Sequence, residues 1–342
     1  ITDDASAEVE ALADKIDAPI GCTMMGLSAV PNSNPRFLGM EGMHGHYASS
    51  ISQNEADLII TAGCRFSDRG TGNTQKYARN AKIIHIDIDA SELHKNIPAD
   101  LGLTGSMKEI LSKLCQKVQQ QKHPEWMARI EELKAYTAKL EAQDDTLTPF
   151  TAIDAIHEAY GDSIILATDV GQHQMWTAQH FPFLHPRQLI TSGGLGTMGF
   201  GLGAAMGAAA SDPAGRPVAL VTGDGSFRMN LTELSTIGYY GIPVIVVIFN
   251  NGTLGMVRQW QTLFFGHRYS QTTLDRGPDF MKLAAAYGLS GARVNAVETF
   301  AAAFKAAVEK REPCIIECML DIDEMVAPMV APGSPIDSFC LN

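Results

Sequence analysis

Gly223-Asp224-Gly225 stands at the end of the apolar run in VALVTGDGSF, and Asn250-Asn251 stands at the end of the next one, in IPVIVVIFNNGT. Each run has strand length and is followed at once by small polar residues. Residues 226–249 separate them, which leaves room for one crossover helix over 231–240 and a short return, so the unit reads βαβ. A right-handed crossover brings both strand ends to one carboxyl edge of a parallel sheet, where open α/β sheets bind ligands. The chemistry that wants an acid and a carboxamide there is a diphosphate held through magnesium, which prefers six oxygens and keeps few protein ligands. Asp224 would give its carboxylate, Asn251 its side-chain carbonyl and Thr253 a backbone carbonyl. Gly223 and Gly225 keep the backbone bare so that phosphates can approach, and the amides of Gly225 and Ser226 would face the anion at a helix start. Either piece alone is as well explained by an ordinary turn or loop; the two at this spacing favour the site.

Two further strand ends carry candidate chemistry. Asp169-Val170-Gly171-Gln172-His173 follows the apolar run SIILATD, where Asp169 is also a natural helix cap. Gly194-x-Gly196-x-x-Gly199 is a literal GxGxxG after a strand and before a helix, the pattern of a dinucleotide site and hence of an NAD-dependent dehydrogenase. Against that reading, the acid closing the next strand is Asp224, already part of the two-piece site, and Met198 is bulky for a loop that must hug a pyrophosphate. A core methionine is the plainer account of Met198. In the amino-terminal region, GMHGHY (42–47), GCRFSDR (63–69) and HIDID (85–89) are the informative stretches. An acid such as Asp87 or Asp89 at a strand end can hold a ribose hydroxyl. Lone Arg65 and Arg69 read more simply as surface ion pairs. A calcium-loop reading from Asp87 fails, because Glu92 and Pro98 stand where glycine and glutamate are required.

GDG, a spacer and NN together resemble the fingerprint of the thiamine diphosphate enzymes. GDGSFRMNLTELSTI, NNGTLGMVRQWQ, TDVGQHQMW, SGGLGTMGFGLGAA and PMVAPGSPIDSF resemble, more closely, the catalytic subunits of acetohydroxyacid (acetolactate) synthases. The resemblance covers nearly the whole chain and implies a specific assignment. Gln172 and His173 would lie at the diphosphate with Gly196, Gly223, Gly225 and Ser226. Met198 would prop the cofactor in a bent conformation, and Met256, Trp260 and Arg69 would shape the pocket for the second keto acid. His44, Gly63, Arg65 and Asp87 would hold FAD, which has no redox duty in the main reaction. Ser67 stands where the family usually has aspartate. The implied reaction decarboxylates pyruvate and joins the remaining two-carbon unit to pyruvate or 2-ketobutyrate, on the route to branched-chain amino acids. The implied partners are further copies of the catalytic subunit, as a homodimer or homotetramer, and a small regulatory subunit. The family activates its cofactor with a glutamate from an amino-terminal domain, and no residue here matches it. The chain opens on Ile1 with a helix where the central domain would first lay down a strand, so it reads as a fragment or a processed product, incomplete for catalysis by itself. A non-catalytic cofactor-binding remnant is the third reading.

Composition is compatible with all of this. With 342 residues the chain exceeds one domain by length, and 45% apolar with 19% charged residues suits filled cores. A net charge of −12 argues against nucleic acid or a membrane surface as partner. The longest apolar stretch, around Ile242 to Phe249, is far too short for a bilayer. No targeting segment is visible, and the six cysteines form no CxxC or metal pattern, so a reduced, cytoplasmic setting is expected. The fold class expected is α/β with two doubly wound parallel-sheet domains. They are a partial flavin-type central domain over 1–118 and a thiamine diphosphate-binding domain over 148–342, ending in a surface-wrapping tail. Between them, 119–147 reads as a linker with a solvated helix at 124–140. Helix 5–17 should start at Asp3 or Asp4.

Overall fold

The computed structural model describes residues 1–140 and 146–340. The chain forms two compact units: Ile1–Ala142 with Leu184–Pro186 and Ala327–Asn342, and Gln143–Phe183 with Arg187–Val326.

The first unit runs α1 (Ser6–Ile16), β1 (Ile20–Cys22), β2 (Phe37–Met40), α2 (Tyr47–Glu55), β3 (Leu58–Ala62), the single turn α3 (Asp68–Thr71), β4 (Lys82–Asp87), β5 (Leu101–Thr104), α4 (Met107–Lys117) and α5 (Pro124–Leu140). Strands β3-β4-β5 form a parallel sheet and β1-β2 a separate parallel pair. Leu12 on α1, Ile86 on β4 and Leu111 on α4 share one core. Two local expectations fail here. Neither Asp3 nor Asp4 caps α1, whose cap position is Ala5 without a side-chain bond. Asp3 instead accepts from Ser106 Oγ at 2.8 Å and Lys108 N at 3.0 Å, so it fastens the start of α4. Nor is α5 a solvated linker: Ile130 and Leu133 are buried against Leu38, Ala48 and Ile51, and Ala48 N donates to Thr137 Oγ1 at 3.0 Å. Its abundant charges lie on the other face, which is why composition alone misled. The piece of the expected linker at 141–145 lies outside the described residues.

The second unit runs α6 (Pro149–Tyr160), β6 (Ile165–Thr168), α7 (Gln172–His180), β7 (Leu189–Ile190), α8 (Phe200–Ser211), β8 (Val218–Gly223), the single turn α9 (Asp224–Phe227), α10 (Leu234–Tyr240), β9 (Val244–Asn250), α11 (Gly255–Phe264), α12 (Phe280–Ala286), β10 (Ser290–Val294), α13 (Val297–Lys310) and β11 (Cys314–Met319). Its strands make one six-stranded parallel sheet in the order β10-β11-β9-β8-β6-β7. VALV and VIVVIF are unbroken apolar runs because helices cover both faces of a parallel sheet, and every one of those residues is buried. Thr148 and Thr151 form a reciprocal capping box that starts α6, with Pro149 preset for the first turn.

Residues 327–340 return to the first unit as the short antiparallel pair β12 (Met329–Val330) and β13 (Phe339–Cys340). The expected surface-wrapping tail is therefore a packed one. Met329, Val330 and Ile336 are buried, Val330 N donates to Met43 O at 2.7 Å, and Ile336 joins the core of Phe66 and Tyr77. The expected domain boundaries at 118 and 147 differ from this division for the same reason. Apolar residues in both α5 and the tail are buried in the first unit. Among the described residues no helix is long and apolar enough to cross a membrane.

Candidate cofactor and metal site

β8 and β9 are adjacent and parallel, with Gly223 opposite Phe249. Asp224 and Asn251 therefore leave the sheet side by side at its carboxyl edge. β6 pairs with β8 on the other side, which sets Asp169 on the same edge. The crossover between β8 and β9 is helical, as the spacing requires, with α9 opening it and α10 completing it.

Asp224 is 2% exposed, and its Oδ2 has no hydrogen-bond partner. Burial pushes its carboxyl up to about 6, opposed by the Arg228 guanidinium 3.9 Å away on the next turn. Ser226 Oγ and His173 Nε2 are likewise buried without partners. Burial pushes His173 down to about 4, against the pull of Asp169, so the imidazole is neutral near pH 7. The bare backbone at Gly223 is required by this histidine: a Cβ there would sit 2.9 Å from His173 Nδ1. At Gly225 the close neighbours are Leu254 and Leu274, so apolar packing is already enough to demand glycine.

Asn251 Nδ2 donates to Gln172 Oε1 at 3.1 Å, and its Oδ1 accepts from Thr253 N at 3.3 Å. Gln172 Nε2 donates to Gln259 Oε1 at 3.0 Å and to Glu324 O at 2.9 Å. The Gln172 side chain is thus committed to holding Asn251, α11 and the 324 segment. Thr253 Oγ1 donates to Thr272 O at 3.0 Å, so any metal contact from this residue falls to its backbone carbonyl. Among the described residues no three His, Cys, Asp or Glu side chains are placed to hold a metal ion together. A single buried carboxylate, a carboxamide and unpartnered hydroxyl and imidazole groups do not make a closed metal cage. They fit a cation that brings most of its oxygens with it, as magnesium on a diphosphate does.

The GxGxxG turn lies at the same edge but is engaged differently from a dinucleotide loop. Gly199, with φ +90°, precedes α8, and its amide donates to Asp169 Oδ1 at 2.7 Å. A carboxylate already occupies the position where a pyrophosphate would meet the helix start. Asp169 also accepts from Val170 N at 3.1 Å and from Thr222 Oγ1 at 3.4 Å. The cap position of α7 is Gly171, without a side-chain bond, so Asp169 fastens α8 instead of capping α7. Gly196 has φ +72° and is exposed, and Met198 is half-buried beside it. Met256 and Trp260 are half-buried on α11; the Trp260 ring meets Phe264 edge-on at 5.8 Å, and its Nε1 has no partner.

His44, Gly63, Arg65, Arg69 and Asp87 belong to the first unit. Gly63, with φ +67°, follows β3 and donates to Ile86 O at 2.8 Å, while Asp87 closes β4. Asp87 is buried; its Oδ1 accepts from Asp89 N at 2.9 Å and its Oδ2 lies 3.9 Å from His85 Nε2. Arg65 is exposed, and Arg69 pairs with exposed Asp68 at 3.1 Å. Burial, aided by the Arg69 charge, pushes His44 down to about 4. Sequence reasoning missed three residues around the second-unit site, Gln259, Arg228 and Glu317, and gave Asp169 the wrong helix to fasten. Glu317 sits in the apolar run CIIECM, and a polar residue expected to be buried was the available signal there; Gln259, between Arg258 and Trp260, offered none.

Residues 1–114 match the family described as thiamine pyrophosphate enzyme, central domain, and residues 169–318 match its C-terminal TPP binding domain. The chain is 41% identical over 339 residues to the probable acetolactate synthase large subunit of Methanocaldococcus jannaschii, covering 96% of this chain and 57% of the relative. It is 38% identical over 350 residues to the acetolactate synthase large subunit of Haemophilus influenzae, covering 100% and 61%. It is 39% identical over 331 residues to the acetolactate synthase isozyme 1 large subunit of Escherichia coli, covering 96% and 59%. The chain thus spans about three-fifths of the length of these curated relatives.

Proposed function

The chain belongs to the thiamine pyrophosphate enzyme family, and from that membership we propose that it is part of a thiamine diphosphate- and magnesium-dependent acetolactate synthase. The proposed reaction decarboxylates pyruvate and joins the two-carbon remainder to a second pyruvate or to 2-ketobutyrate. The observation that carries the reading is the trio of buried, unpartnered polar atoms at one sheet edge: Asp224 Oδ2, Ser226 Oγ and His173 Nε2. Other buried polar atoms of the chain also lack partners, and what supports a ligand at these three is that they stand beside one another at the carboxyl edge where parallel α/β sheets bind ligands.

Thiamine diphosphate, when bound, supplies a nucleophilic thiazolium carbon and a sink for the electrons released with carbon dioxide. The chain's own residues bind and orient it. Asp224, the carbonyl of Asn251 and the backbone carbonyl of Thr253 would hold magnesium. Ser226 and neutral His173 would donate to phosphate oxygens without adding a charge that magnesium must oppose. Gln172 fixes the rotamer of Asn251, which proximity demands of a ligand that must meet one octahedral position. Met198 would prop the cofactor, and Met256 and Trp260 would bound the acceptor keto acid; Arg69, in the first unit, is a separate candidate for acceptor choice. FAD in the first unit, at Gly63, Asp87, Arg65 and His44, and a small regulatory partner suggested by the relatives' large-subunit names belong to the same proposal.

The test is a titration of the full-length protein with thiamine diphosphate, with and without magnesium, followed by an assay for acetolactate from pyruvate. Magnesium-dependent binding and product formation are expected. Saturable NAD binding with no response to thiamine diphosphate would overturn the assignment.

A further inference from the structure

Asn250 and Asn251 are neighbours with divided duties. Asn251 turns to Gln172, whereas Asn250 Nδ2 donates to Glu317 Oε1 at 2.6 Å. Asn250 is held at every other polar atom that bears on the turn. Its Oδ1 accepts from Gly252 N at 3.0 Å, and its backbone carbonyl accepts from Leu320 N at 2.9 Å. The first of these bonds closes the turn over 250–252, in which Gly252 takes φ +66°. The geometry of that turn decides where Asn251 and Thr253 point.

Glu317 itself lies on β11, one strand in from the β10 edge of the sheet, and is 2% exposed. A buried carboxylate is costly unless paired and hydrogen-bonded. Its second oxygen accepts from Arg293 Nε at 2.7 Å on the neighbouring strand β10. Arg293 reaches on to Asp279 Oδ1 at 3.1 Å, and Asp279 caps α12 by accepting from Met281 N and Lys282 N. The result is a continuous polar chain from the start of α12 through two strands to the loop at the sheet edge. A carboxylate is the one side chain of this size that accepts from Asn250 and Arg293 at once.

We infer that Glu317, anchored by Arg293, is a positioning residue that sets the Asn250–Thr253 loop for magnesium-diphosphate binding. This rests on the functional reading above. Residues that orient metal ligands without touching the metal typically change metal affinity by roughly 10- to 100-fold when altered.

The experiment measures the magnesium concentration giving half-maximal thiamine diphosphate binding, by calorimetry on the full-length protein, with Tm recorded without cofactor. Glu317→Gln keeps the shape but turns an amide NH2 toward one of two donors, and it should raise that concentration about tenfold or more. Arg293→Gln removes the anchor of Glu317 while leaving both side-chain bonds of Asn250, to Glu317 and to Gly252 N, in place, so it carries the test if Glu317→Gln fails to fold. The same rise is expected from it. A lowered Tm with a wild-type magnesium requirement in these variants would make Glu317 purely a fold residue and overturn the inference. Absence of magnesium-dependent binding in the wild type would overturn the functional reading instead, and this inference with it.

Discussion

Gln172 Oε1 and Asn251 Nδ2 lie 3.1 Å apart, joining the first residue of α7 to the end of β9 across the intervening strand β8. The two residues are far apart in sequence, and each belongs to a motif that makes sense separately. Together they show how the site is kept in register. The loop that must present a carbonyl to a cation is held by the helix that must present His173 to an anion. Gln259 and Glu324 complete the bracket through the same Gln172 amide. A carboxamide that has lost this bracket would be free to turn its nitrogen toward the cation.

Asp224→Asn should abolish magnesium-dependent binding of thiamine diphosphate while raising the Tm of the cofactor-free protein. Asp224 is buried, its Oδ2 is unpartnered, and burial holds its carboxyl near 6, so near pH 7 the folded chain carries an ill-compensated charge. An amide of the same shape removes that charge. Thermal melts with and without magnesium and cofactor check both halves. Retained cofactor-induced stabilisation in the variant would place the cation elsewhere.

Trp260→Leu should lower the preference for 2-ketobutyrate over pyruvate and leave cofactor binding nearly intact. Trp260 is half-buried on α11, one position beyond the Gln259 that bonds Gln172. An indole wall favours the extra methylene of 2-ketobutyrate, a difference worth roughly 1–3 kcal/mol in a good pocket. Competition between the two keto acids, read as the ratio of products from the full-length enzyme, is the measurement. An unchanged ratio at normal turnover would assign Trp260 to its packing on Phe264 and leave Arg69 as the remaining candidate.

Glu41→Gln should stabilise the protein increasingly as pH rises from 5 to 8. Glu41 follows β2 and accepts from Gln53, whose carbonyl accepts from Tyr77 Oη at 3.0 Å. Burial pushes its carboxyl up to about 7, against the opposing effect of the Gln53 bond. A folded-state value raised above the unfolded one means the folded chain holds its proton longer. The associated stability is present below the unfolded carboxylate range, near pH 4.5, and is lost as pH rises through about 7. Glutamine cannot ionise, so the difference in Tm between variant and wild type should widen over that window and flatten above it. A difference that stays constant with pH would show that Glu41 titrates as an ordinary surface acid.

The sequence by itself determined the alternation of strands and helices, the parallel sheet and the carboxyl-edge placement of Asp224 and Asn251. The reason is that unbroken apolar runs such as VIVVIF suit only strands covered on both faces, and a crossover of that length permits only one handed return. Family-like motifs added Gln172 and His173 to the same edge. What the sequence could not settle was every choice among partners distant in the chain. Asp169 had the pattern of a cap for α7, yet the fold set the amide of Gly199 closer, and the carboxylate went to α8. Asp3 followed the same rule, leaving α1 for Ser106 and the start of α4. The charges of α5 read as a solvated linker because Ile130 and Leu133 reveal their burial only once α2 lies against them. Glu317 carries no local sign of its role, because its partners Arg293 and Asn250 come from the two flanking strands. Local pattern fixes which backbone an element adopts, because hydrogen bonding and side-chain period act over a few residues. Which polar group satisfies which is decided by packing, because burial removes water as the competing partner and leaves only the neighbours the fold supplies.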